Sequence, residues 1–120
     1  MTTNLDPTRL YRHAPDLLAE AAELLTISSG LLTRTLAGTP ADEEEQRAFR
    51  LRWAVQADRR HLAHPDPHTA GQADEAAHTL ADLDRANPWL IPAGLTVPNP
   101  GDDDGARAYV RECFDAGAWA

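Results

Sequence analysis

The feature that most limits what this chain can fold into is its punctuation. Prolines and glycines recur between stretches whose apolar residues return every third or fourth position. Proline inside a helix loses a hydrogen bond and clashes with the preceding turn, yet it suits a helix's first turn, and glycine suits its end. Segments bounded and spaced in this way read as amphipathic helices. The expected fold is therefore all-α: one domain over residues 1–120, built as a compact bundle of four to five helices.

Each segment has its own start and stop. Asp6-Pro7 opens a short helix expected to reach His13, and Pro15 either kinks it or starts the next one. Leu17, Leu18, Ala21, Leu24, Leu25, Leu31, Leu32 and Leu36 form a broad apolar face. Ser28-Ser29-Gly30 interrupts that face, by a break or by a close-approach site, and a single helix over 15–37 is favoured. Gly38 stops it. Thr39-Pro40, followed by Asp42 to Glu45, predicts a third helix over 40–63, with acids where the helix dipole favours them. His64-Pro65-Asp66-Pro67 separates this helix from one carrying Ala73, Ala76, Ala77, Leu80 and Leu83, which Asn87-Pro88 ends. Asp102 to Asp104 open a last helix with Ala106, Tyr109, Val110, Cys113 and Phe114 on one stripe. Gly117 ends it, and Trp119 follows in the tail.

Two regions depart from simple amphipathic patterning. On the third helix Ala48, Leu51, Val55 and Leu62 share one face, while Phe49, Trp53 and Ala57 lie nearly opposite. A helix apolar on two sides is either central in a bundle or covers a partner with its second face. Asp58 falls at the centre of the first stripe, where a carboxylate is costly unless paired. Its candidate partners are His61, an arginine from another helix, or a basic group on a partner. The second region is 87–101, where four prolines alternate with Trp89, Leu90, Ile91, Leu95 and Val97. So many large apolar groups are unlike a polar linker. They predict an extended strap that fills gaps in the core or docks on a partner.

Composition narrows the function classes. There are 19 acidic and 11 basic residues, and no lysine, for a net charge of -8. Lysine avoidance alongside abundant Ala, Arg, Gly and Pro suggests a high-GC bacterium, its phage or a mobile element. The negative balance argues against direct nucleic-acid binding and against an anionic membrane surface, while permitting a basic protein partner. Cys113 is the single cysteine, so no internal disulfide is possible, and its place on an apolar stripe makes it a packing residue. The first residues lack the basic-then-apolar order of a secretion signal, so the cytoplasm is the expected location.

No phosphate loop, nucleophile elbow or dinucleotide fingerprint is present, and without lysine no lysine Schiff base can form. Asp58, His61 and His64 are the one set that could hold a metal, but Pro65 and Pro67 interrupt the helical spacing to His68 and no His-Glu-x-x-His is present. The expectation is a non-enzymatic interaction protein without cofactor: a regulator, adaptor or inhibitor that covers a partner surface, with a homodimer as one form of partner. Phe49, Arg50, Trp53, Asp58, Trp89, Leu90 and Ile91 are its candidate contacts. One alternative is an acidic decoy for a nucleic-acid-binding protein, using Asp66, Asp74, Glu75, Asp82 and Asp84. The other is a helical metal protein or enzyme using Asp58, His61 and His64.

Overall fold

A computed structural model describes residues 5–117. The helices are α1 (Pro7–Leu10), α2 (Leu17–Leu36), α3 (Glu43–Ala63), α4 (Pro67–Ala86) and α5 (Asp103–Asp115), with a 3-10 turn at Pro88–Leu90. The described residues contain no strand. Trp119 lies outside them.

Every helix starts on an aspartate. Asp6, Asp16, Asp42, Asp66 and Asp102 each accept a hydrogen bond from a backbone N–H of the first turn. This satisfies one of the donors that a helix start leaves free, and the negative charge suits the positive end of the dipole. Asp66 and Thr69 form a reciprocal capping box. Much of the chain's acidity is thus helix-start chemistry.

Several boundaries differ from the sequence expectation. α1 ends at Leu10 rather than His13, because Tyr11 turns inward and is buried. α3 is capped by Asp42 rather than Thr39, since the Asp42 side chain reaches the Glu45 N–H. Ser28-Ser29-Gly30 does not break α2; helical bonding runs through all 20 residues. Gly38, at φ +83°, then takes the left-handed conformation that ends the helix.

The core lies among α3, α4 and α5. Leu51, Val55, Leu80, Tyr109, Val110 and Cys113 are fully buried there. Ala73, Ala76, Ala77 and Ala81 give α4 a thin buried face that lets its neighbours come close. α3 is the central helix, packed against α2, α4 and α5 on different sides. That explains its two apolar faces: Leu51 and Val55 meet one set of neighbours, and Phe49 and Ala57 are also buried. The predicted stripe is covered only in its middle, since Ala48 is exposed and Leu62 is 41% exposed.

The strap combines both expectations. Leu95 and Val97 pack against the core, and Arg85 donates to the Pro98 carbonyl at 2.7 Å. Trp89, by contrast, is exposed, and Leu90 and Ile91 are half-buried.

Candidate functional site: a leucine-lined face beside the Trp53 cleft

Two buried carboxylates tie α3 to α4 and α5. Asp58 on α3 accepts from Arg111 at 2.9 Å through both oxygens, from Arg107 at 2.8 Å and from the Tyr11 hydroxyl at 2.7 Å. One side chain thereby joins α3, α5 and the residue that follows α1. Burial raises the Asp58 pKa, but the bonds from Arg111, Arg107 and Tyr11 outweigh it and hold the carboxyl below its ordinary value. Burial and the neighbouring Asp58 charge push the Tyr11 hydroxyl upward, so it stays a donor.

The second carboxylate is Asp84 on α4. Arg47 of α3 grips it in a two-pronged pair at 2.9 and 3.0 Å, and the Tyr109 hydroxyl of α5 donates to it as well. The same guanidinium lies 3.3 Å from the Cys113 sulfur. Burial pushes the Cys113 thiol up to about 11, so it is protonated at neutral pH and inert as a nucleophile. A fork-to-fork arginine–carboxylate pair also fixes the relative rotation of its two helices.

α2 is attached differently. It packs along α3 and shares no substantial contact with α4 or α5. Arg52 grips Glu20 at 2.6 and 3.0 Å, Gln56 donates to the Leu17 carbonyl, and Arg34 pairs with Glu45 at 2.6 Å. Leu24 is the buried leucine of α2. On the adjoining side Leu18, Leu25, Leu32 and Leu36 are 80%, 66%, 61% and 80% exposed. At 3.6 residues per turn these four fall within about 40° of one another, in a stripe about 27 Å long.

Beside that stripe a cleft of about 530 Å³ opens between α2, α3 and α4. Leu24 and Leu25 form one wall, Ala76 and Thr79 the other, and Trp53 and Gln56 the floor. Trp53 is 42% exposed and tilts against Phe49 at 5.8 Å, with the Arg50 guanidinium over the Phe49 ring. Gln56 spends its N–H₂ on Leu17, leaving its Oε1 buried without a partner at the edge of the cleft.

The predicted contacts separate on this geometry. Trp53 and Arg50 line the cleft. Phe49 is buried beneath them, so it supports the cleft floor and is not a free contact. Asp58 does not face a partner either: three side chains of its own chain saturate it, which answers the arginine expectation and removes the partner one. Trp89, Leu90 and Ile91 sit on the strap, and none of them lines the cleft. The metal set is not assembled, because Asp58 turns to α5 while His61 bonds to the Thr69 hydroxyl at 2.9 Å. Among the described residues no group of three or more His, Cys, Asp or Glu side chains is placed to hold a metal. Nor is any described helix long and apolar enough to cross a membrane.

Sequence reasoning missed the Arg47–Asp84–Tyr109 cluster and the open stripe of α2. The first left a signal. Asp84 lies four residues after Leu80 and eleven after Ala73, on the alanine face itself, as Asp58 lies on its own stripe. The fold and this face define an all-α five-helix protein with an open apolar side. Comparison with family models, curated proteins and solved structures finds no match to the chain.

Proposed function

We propose that the chain is a non-enzymatic interaction protein whose α2 face takes up an amphipathic helix of complementary apolar pattern. The observation that carries this reading is the row of Leu18, Leu25, Leu32 and Leu36, left open beside a cleft floored by Trp53. Four exposed leucines in one row differ from the singly scattered surface apolar residues that need no explanation. A groove between two helices with an aromatic floor suits a helix laid along it. The titratable groups with the strongest internal bonding are structural: Asp58, Asp84, Glu20 and Cys113 hold helices together and are buried.

The acidic surface supports the decoy alternative less well. Five aspartates cap helices, Asp84 is fully buried, and Asp82 and Asp103 pair with Arg85 and His78. Affinity capture from native cells separates the two readings. Wild-type bait, Leu25→Glu bait and Trp53→Ala bait are compared at low and high salt. The expected result is salt-tolerant retention by wild type, lost with Leu25→Glu and weakened with Trp53→Ala, while the melting temperatures of the variants stay close to wild type. Retention that survives both substitutions but collapses with salt would transfer the assignment to the carboxylates. A collapse of folding in Trp53→Ala would make Trp53 a core residue and remove it from the site.

A further inference from the structure

Resting on that reading, we infer that the helix received by the α2 face is α2 of a second copy, packed antiparallel across a two-fold axis. Three observations converge on this occupant. The first is charge. On a chain of net charge -8, residues 24–33 of α2 carry no charged side chain, and none lies on the leucine stripe. Two copies approaching through the acid-rich starts of α3 or α5 would set acid against acid. Here they meet over an uncharged strip. A basic partner would find nothing on the stripe to pair with.

The second is shape. A two-fold contact must be self-complementary, with residue i meeting j and j meeting i. With the axis placed beside residue 27, Leu25 stands opposite Ser29 of the second copy, and Leu32 stands opposite Ala22 of the second copy. Leu25 and Leu32 thus each meet a small side chain, in the manner of knobs and holes, while Leu18 meets Leu36 of the second copy at both ends. Ala22 and Ser29 lie beside the leucines, and the whole set spans about 80° at helical spacing. Ser28-Ser29-Gly30 does not break α2; Ser29 is the hole that Leu25 of the second copy fills.

The third is area. The four leucines and the Trp53 edge give each copy on the order of 500 Å² of open apolar surface, which doubles to about 1,000 Å², the lower bound for a specific interface. An interface of that size predicts a reversible dimer, with the leucine stripe and the Trp53 edge as its apolar surface.

Sedimentation equilibrium of the purified full chain tests the inference over the micromolar range. The expected mass rises toward twice the 13.1 kDa chain mass with concentration. Leu25→Glu stays at the chain mass with an unchanged helical spectrum, since that side chain is exposed in the single copy. Orientation is read by cysteine cross-linking under mild oxidation. The Leu18→Cys, Leu36→Cys double variant forms a disulfide-linked dimer, and Leu18→Cys alone does not. Within one copy these positions are about 27 Å apart, so the bond can only be between copies. Cross-linking by Leu18→Cys alone would overturn the antiparallel arrangement. A wild-type mass that stays at 13.1 kDa throughout, or a Leu25→Glu variant that still dimerises, would overturn the α2 pairing. In the monomeric case, salt-tolerant capture of a different protein that Leu25→Glu abolishes would leave the broader interaction reading standing; absence of both would remove it.

Discussion

The α3–α4–α5 body and the α2 arm both pair buried carboxylates with arginines, but they place apolar surface in opposite ways. In the body, Arg47 and Asp84 are buried, and Asp58 is closed off by Arg107, Arg111 and Tyr11. On α2, leucines stand in water while Leu24 is covered. The body can bury charge because its alanine faces bring helices close enough for each carboxylate to reach every partner it needs. The arm cannot bury its leucines because one neighbour, α3, covers only one side of it. A helix with one substantial neighbour is less packed than one in the middle. Its opening should therefore cost less than unfolding the body.

The largest effect is expected from removing Asp84. With Arg47 left buried and unpaired, Asp84→Ala should cost about 3–5 kcal/mol, read as a lowered midpoint in denaturant. A change below about 1 kcal/mol would mean that the body does not depend on its buried pair.

Asp58 should matter less at neutral pH, because Arg107 and Arg111 are partly exposed and can turn to water. Asp58→Asn should cost about 1–3 kcal/mol. The sign of its pH dependence follows from the lowered carboxyl. A carboxylate held below its ordinary value contributes in full above about pH 4, and that contribution is lost as the pH falls through the lowered folded value. The wild type should therefore weaken at acid pH, and Asp58→Asn should flatten part of that decline in denaturant titrations. An unaltered acid limb would show that the clamp carries no linkage.

The smallest effect sharpens the other side. Leu32→Ala, measured at concentrations where single copies prevail, should change stability by no more than about 0.5 kcal/mol, as for an exposed position. A cost of about 2 kcal/mol or more would place Leu32 in a core.

The helix set was legible in the residues because its causes are local. Aspartate caps, prolines in first turns and Gly38 act within a few positions, and α4 and α5 follow their predicted stripes. Asp58 was legible as misplaced, since its angle on α3 follows from spacing alone. Its partners were not, because Arg107 and Arg111 lie 49 and 53 positions away and only packing brings α5 to α3. Trp53 was read correctly as standing apart from the Leu51 face. Phe49, beside it in the same reading, is buried, because burial depends on what lies over a side chain and not on its helical angle.

The residues of this chain thus determined by themselves that it forms these helices, with aspartate, proline and glycine near their ends, and that Asp58 would sit on an apolar stripe. Tertiary structure alone decided which side of α2 stays open. The apolar arc of α2 is wider than the single helix that packs on it. Which leucines are covered depends on where α3 lies, and α3 is held in place by the arginine clamps to α4 and α5.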